Sequence, residues 1–337
     1  MLASAPLMRA CAQVLGLFLA LGVLPAHAQQ DWFASVYTPG GIEVRADARV
    51  FALFALFNRT GYDTGTLRRE HPVPAWQYPP SRARVRQGLS GAEPSVLQRA
   101  QAFFDAHPLP LEHYLAATVF MEDEDAPAEP RELAGLEVLL DRVEEHWPVP
   151  ALRAETFPDY RAAMRAYLPL LDEPWRRTHR LLHLPEGKPL LRLVVNLLDA
   201  EGQVHGFRTR QGAVVVVVGP SRTPALEKVM WEYARALLPT RIGEQAQARW
   251  AVGPTLLREA QARGARETTV GAYAVALLSR ALALSALAAP PSAYEDAGRE
   301  GYFGLQELAG SFDNPRPVDA WALEGLARIG SERPSRK

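Results

Sequence analysis

Apolar residues recur every three to four positions over much of this chain, which is the period of an amphipathic helix. Asp47 precedes the first such segment as an N-cap, and Gly61 follows its end. Thr223 and Pro224 open a later helix in the same way, and Pro239 is expected to end it. The predicted helices cover residues 48–58, 97–104, 111–121, 131–147, 157–171, 174–183, 224–238, 268–287 and 302–310.

Shorter apolar runs between turn residues predict strands. These runs are residues 42–45, 190–198, 204–208 and 213–218. Five consecutive valines in the last run indicate a strand that is buried on both faces. Residues 70–95 are rich in Pro, Arg and Gly and predict a loop. Helices with a few strands among them predict a predominantly helical α+β fold.

The first 28 residues have the features of a secretory signal peptide. Arg9 precedes an apolar stretch at 14–24, and Ala26-His27-Ala28 has the small residues of a cleavage site. We therefore expect an exported protein, periplasmic or extracellular, with no membrane span in the mature chain; a retained N-terminal anchor is the alternative. Cleavage would also remove Cys11, the only cysteine, and with it disulfides, cysteine-zinc sites and thiol nucleophiles.

The mature chain is expected to form a single domain over residues 29–330. Its N-terminal half, about 42–183, is helical, and a strand-plus-helix region follows at about 188–330. The basic tail 331–337 is predicted to be disordered. The acidic run 122–125 is expected to be a solvated loop rather than a calcium site.

The overall charge and the motifs limit the functional classes. Lys and Arg together number 37 against 38 Asp and Glu, so the chain has no long-range attraction for nucleic acid. The sequence contains no Gly-x-Gly-x-x-Gly or phosphate-binding loop. It also lacks a Gly-x-Ser-x-Gly nucleophile motif. We therefore expect no cofactor and no nucleic-acid partner.

Residues 230–239 resemble the metal-binding helix of zincin metallopeptidases, whose motif is His-Glu-x-x-His. In that motif two imidazoles, four residues apart on one helix face, bind zinc, and the Glu activates a zinc-bound water. Here Glu232 holds the Glu position, whereas the two His positions are Trp231 and Arg235. Trp has no lone pair for a metal, and Arg stays protonated in proteins.

The resemblance extends to a family of secreted bacterial zincin-like proteins of unknown function. Those proteins share the extended start and helix opening at 42–50, the apolar strands at 190–218 and the small, apolar residues at 236–239. A later helix supplies their third ligand, a carboxylate, ahead of an Arg. When that Arg is aligned with Arg280, Gly271 falls at the ligand position, where it offers no side chain.

This resemblance implies a zincin-like fold, with two strands from 190–218 bordering a cleft beside the former metal helix. With all three ligands missing, it implies a catalytically inactive homologue that retains the vestigial Glu232 and holds an extended peptide or protein partner in the cleft. Trp231, Glu232 and Arg235 lie close enough on the helix to touch. We expect the Arg235 guanidinium to pair with Glu232 and to stack on Trp231.

Two other interpretations remain open at this point. His179 and His183 have the i, i+4 spacing of two metal ligands, with Asp172 or Glu186 as a third, and would suit a metal-dependent hydrolase. Neighbouring arginines favour instead a surface helix end that carries two histidines. The second interpretation is a helical structural protein of the envelope. The absence of a strand-bordered cleft at Trp231 would favour it.

Overall fold

One mixed sheet and twelve α-helices make up the part of the chain that the computed structural model describes. The described residues are 35–62, 80–121, 131–185, 187–188, 190–242, 247, 252–312 and 317–331. They belong to one compact unit, residues 35–337. The predicted signal peptide, the acidic run 122–125 and all but the first residue of the predicted tail lie outside the described residues.

The sheet has five short strands. They are β1 (Val36–Tyr37), β2 (Glu43–Ala46), β3 (Leu191–Val195), β4 (Val204–Arg208) and β5 (Val214–Val218). Their order across the sheet is β1-β2-β3-β5-β4. The three inner strands are parallel, and β1 and β4 are antiparallel strands at the two edges. All five valines of β5 are fully buried, as the sequence predicts for a strand covered on both faces.

Twelve described α-helices accompany this sheet. They are α1 (Ala48–Thr60), α2 (Pro80–Gly88), α3 (Pro94–Ala106), α4 (Leu111–Phe120), α5 (Leu136–His146), α6 (Val149–Leu181), α7 (Leu226–Arg241), α8 (Pro254–Ala262), α9 (Val270–Ala286), α10 (Pro291–Arg299), α11 (Leu305–Gly310) and α12 (Val318–Ser331). A 3-10 turn covers Arg131–Leu133. Helices α2 to α5 pack around α1, while α7 packs on β4, β5, α6 and α9. The fold is thus α+β and predominantly helical, as predicted.

The start and end of α1 follow directly from the local sequence. The Asp47 carboxylate accepts the backbone N–H of Val50 at 3.0 Å, as an N-cap does. Gly61 ends the helix in the left-handed region, at φ 70°, and donates its N–H to the carbonyl of Phe57. Both predictions for this helix are confirmed.

The 33-residue helix α6 corrects two predicted boundaries. The sequence analysis placed breaks near Pro158 and Pro174, but both residues, and Pro169, lie inside one continuous helix. Each proline removes one backbone donor, which is a local cost of a few kcal/mol. Burial of an apolar stripe offsets that cost along the whole length, with Tyr160, Met164, Tyr167, Leu171 and Trp175 in the core.

Several other boundaries also differ from the predictions. Part of the predicted loop 70–95 is helical, because α2 buries Arg82 and Val85 despite its polar composition. Thr223 does not cap α7, which begins at Leu226 after Ala225, and the helix continues past Pro239 to Arg241. Helices α8, α10 and α12 were not predicted. None of the described helices combines the length and the apolarity that crossing a lipid bilayer requires.

Candidate functional site

Helix α7 carries Trp231, Glu232 and Arg235, the residues compared above with the zincin motif, and packs on β4 at the edge of the sheet. Its apolar stripe is buried among β4, β5, α6 and α9; the stripe consists of Val229, Met230, Tyr233, Ala234, Leu237 and Leu238. That stripe confirms the predicted amphipathic helix. It leaves Trp231 and Glu232 half-buried beside the core and Arg235 at the surface.

The edge strand β4 presents half of its backbone groups away from the sheet. Gly219 donates to Gln203, and Thr209 donates to Ala213, so the odd-numbered positions of β4 face β5. Because backbone groups alternate along an antiparallel pair, Val204, Gly206 and Arg208 point outward. No other strand of the described residues pairs with this outer edge.

Glu232 is held between this edge strand and the next turn of its own helix. Its side chain is 12% exposed, and its carboxylate accepts the outward N–H of Gly206 and a hydrogen bond from Arg235 at 2.6 Å. Burial raises the pKa of this carboxyl, although the Arg235 charge and the Gly206 N–H oppose the rise. The expected Glu232–Arg235 pair is therefore present.

Gly206 permits the close approach of α7 to β4. A Cβ atom at this position would lie 2.9 Å from the Glu232 Cβ and 3.0 Å from its backbone oxygen. Neither atom is the far end of a flexible side chain, so any larger residue would have to push the helix away. The sequence analysis did not single out Gly206, because only the tertiary contact gives it this role.

The ring of Trp231 meets α9 and the Tyr302 side chain. Its Nε1–H donates to the Ser279 hydroxyl at 2.9 Å, and the ring packs edge-on against Tyr302 with centroids 5.1 Å apart. The cation over this ring is Arg280, whose Cζ lies 4.8 Å from the centroid. The expectation that Arg235 stacks on Trp231 is therefore wrong. Arg235 bonds to Glu232 instead.

Arg280 is the buried cation of this region. Its side chain is 7% exposed and lies over both aromatic rings, 4.8 Å from the Tyr302 centroid as well. It bonds Glu227 through Nε at 3.0 Å and through a terminal nitrogen at 2.9 Å, and Glu300 at 2.7 Å. The sequence analysis used Arg280 only to align the family resemblance, and its partners come from segments too distant for any spacing rule.

The residues present do not fit a zinc ion. Trp231 and Arg235 supply N–H donors where a metal needs lone pairs. Gly271 lies in the first turn of α9, eight positions before Ser279 and so about 12 Å from it along the helix axis. Among the described residues, no group of three or more His, Cys, Asp or Glu side chains is arranged to hold a metal.

The two histidines of the alternative site have different environments. His179 is buried, with Nε2 2.7 Å from the Tyr233 hydroxyl and Nδ1 3.2 Å from the Pro185 carbonyl. His183 follows the helix end with an exposed side chain and a φ of 50°. Both His179 nitrogens are thus engaged in hydrogen bonds. Of the two histidines, only His183 lies at a surface helix end as expected.

The proposed third ligands for that site do not join the histidines. Asp172 instead fastens the turn between β1 and β2, where it accepts hydrogen bonds from the Thr38 hydroxyl and, at 2.9 Å, from the Gly40 N–H. Glu186 lies outside the described residues. The described geometry therefore gives no support to a metal-dependent hydrolase at this position.

No protein-family model, curated protein or solved structure matches this chain. A function can therefore be inferred only from the local resemblance of α7 to the zincin motif and from the geometry of the described residues.

Proposed function

We propose that this is an exported, catalytically inactive protein of the zincin type that binds an extended peptide segment of a partner along β4. Support for a zincin-like arrangement comes from the motif helix α7, which packs against an antiparallel edge strand. That edge is where zincins hold an extended peptide. The single observation that carries the proposal is the outward-facing backbone of β4 beside α7.

The replaced ligands favour binding over cleavage. The motif glutamate of a zincin activates a zinc-bound water, whereas Glu232 has Arg235 and the Gly206 N–H as partners. The same contact occupies one outward donor of β4. The outward groups of Val204 and Arg208, on either side of it, would then pair with the peptide, as in other cases of strand addition.

Peptide binding can be tested with a pool of random-sequence peptides of about 12 residues, long enough to pass the whole of β4. Peptides retained by the protein are identified by mass spectrometry, and one of them is resynthesised and titrated. N-methylation of this peptide at alternate positions is expected to abolish binding, and at the intervening positions to be tolerated, because a strand uses every second N–H on one side.

Two proline variants locate the binding edge. Val204→Pro removes an outward N–H of β4 without removing a bond to β5, and we expect it to weaken peptide binding about tenfold. Tyr37→Pro is the matched control, since the N–H of Tyr37 faces outward at the opposite edge of the sheet. Equal affinities for the two variants, or no retained peptide, would contradict the proposal.

Metal content tests the inactive state separately. After dialysis against trace zinc, we expect less than about a tenth of an equivalent of bound zinc, because the former ligand positions carry no lone-pair donors. Stoichiometric zinc, or metal-dependent cleavage of a retained peptide, would overturn the inactive assignment. Substitution by Ala of His179, or of Glu267, whose carboxylate lies 3.2 Å from the Tyr302 hydroxyl, would then show whether either residue holds the metal.

A further inference from the structure

A cavity of about 480 Å³ lies at the opposite end of α7 from Trp231. Three segments line it: the described residues of the connection between α6 and β3, the end of β4 with the turn that follows it, and the last turns of α7. Each segment contributes one cationic side chain; these are Lys188, Arg208 and Arg241. The volume lies in the range of small-molecule binding sites.

The positive charge of this cavity is not neutralised by its described surroundings. The described lining contains no carboxylate. Among the described residues Lys188 and Arg208 have no hydrogen-bonding or ion-pair partner for their side chains, and Arg241 donates to the neutral carbonyl of Leu182 at 3.2 Å. By contrast, Arg192 on the same sheet pairs with Glu43 at 2.6 Å. The cluster also stands out against a net charge of only −1 for the whole chain.

Helix dipoles account for only part of this charge. The C-termini of α6 and α7 both adjoin the cavity, and each carries roughly half a negative charge on its free carbonyls. Among the described lining residues, three cations against two such ends leave about two positive charges unbalanced. An excess of this size suits an anion with one or two negative charges.

The rest of the lining is largely apolar. Leu237 on α7 is buried, Leu184 is partly buried, and Leu190 is 51% exposed. An exposed leucine beside unpaired cations is the surface that an amphiphilic anion would cover, with its acid group on the cations and its hydrocarbon part on the leucines.

We propose that this cavity binds a small organic anion with an apolar body, either an alkyl phosphate or a carboxylate. The acid group is held by Lys188, Arg208 and Arg241, and the apolar body lies against Leu184, Leu190 and Leu237. The proposal does not depend on peptide binding along β4. The two sites share only Arg208, whose backbone belongs to the outer edge of β4 and whose side chain lines the cavity.

Isothermal titration calorimetry with four probes tests this site. We expect hexyl phosphate and hexanoate to bind at a single site, with the phosphate the tighter because of its second charge. Inorganic phosphate should bind about tenfold more weakly than hexyl phosphate, since it lacks the apolar part. Hexylammonium should not bind. Equal binding of hexylammonium, or of inorganic phosphate, would overturn the assignment, as would no binding of hexyl phosphate at about 10 mM.

Charge-removing variants locate the anion. Arg208→Gln and Arg241→Gln should each weaken hexyl phosphate binding about tenfold, because each removes a charge-assisted hydrogen bond. Arg210→Gln is the matched control, an exposed arginine in the same turn that does not line the cavity. It should change the affinity less than about twofold. An equal loss in all three variants would show that only diffuse surface charge attracts the probe, and unchanged thermal midpoints would confirm that each variant is folded.

Discussion

Replacement of Arg280 by Met tests whether the buried guanidinium holds α9 to α7 and to Tyr302. Met preserves much of the apolar stem but removes the charge, the hydrogen bonds to Glu227 and Glu300 and both ring contacts. These contacts join residues that lie far apart in the sequence. The change should therefore destabilise the fold as a whole rather than one helix.

The expected loss is about 2 kcal/mol in the free energy of unfolding. Hydrogen bonds to charged groups contribute about 1.5–3 kcal/mol, and each cation–π contact about 0.5–1 kcal/mol or more. Two effects reduce that total. The side chains of Glu227 and Glu300 are 36% and 60% exposed, so water rehydrates both carboxylates after the change. Loss of Arg280 also removes the cost of burying its charge.

Urea unfolding monitored by tryptophan fluorescence and by circular dichroism provides the measurement. Arg177→Met is the matched control, because Arg177 is 37% exposed and pairs with Glu173 one turn away on α6. Its loss should cost a few tenths of a kcal/mol. A cost for Arg280→Met below about 0.5 kcal/mol, equal to the control, would refute the argument that the buried cation stabilises this region.

Three further predictions concern single side chains. Because burial raises the folded-state pKa of Glu232 above 4.5, wild type should lose stability relative to Glu232→Gln as the pH rises through that pKa. Arg235→Ala should deepen this loss, and adding Glu232→Gln to that variant should restore its stability. Urea unfolding from pH 4 to 8 measures both effects. An unchanged stability in Arg235→Ala alone would contradict the pairing. His179→Ala should lower the free energy of unfolding by about 2–4 kcal/mol, because it empties a buried position. His183→Ala, at an exposed position, should lower it by less than about 0.5 kcal/mol. Equal losses in urea unfolding would contradict the assigned burial. Asp47→Ala should lower the free energy of unfolding by at least about 1 kcal/mol, because it removes the α1 cap and also the 2.7 Å ion pair of this buried carboxylate with Arg45. An unchanged thermal midpoint would contradict both roles.

Local chemistry explains which parts of the fold could be predicted from the sequence. The Asp47 cap, the Gly61 terminus and the valine strand each depend on neighbouring residues, and all three are present. The continuity of α6 could not be predicted, because the proline penalties are local while the burial that outweighs them is tertiary. The polar helix α2 was missed for the same reason: its buried face includes Arg82.

In the candidate site, too, local contacts could be predicted from the sequence and tertiary contacts could not. Glu232 and Arg235 are one turn apart, so helical spacing alone predicted their contact. The cation that lies over Trp231 belongs to α9, and nothing in the spacing of α7 distinguishes Arg280 from Arg235 as the stacking partner. The cationic cavity likewise gathers Lys188, Arg208 and Arg241 from three segments, none of which forms a recognisable motif alone.

The side chains at 231 and 235, which stand where zincins have their two histidines, are coupled to their surroundings. Trp231 donates to Ser279, and its ring lies against the Arg280 guanidinium. Arg235 provides the positive charge that opposes the rise in the Glu232 pKa caused by burial. Histidines introduced at 231 and 235 alone would therefore not make a zinc site. They would remove the ring beneath Arg280 and the cation beside Glu232, and the third ligand would still be missing at Gly271. The two cations that converge here are each paired with carboxylates, Arg280 with Glu227 and Glu300, and Arg235 with Glu232.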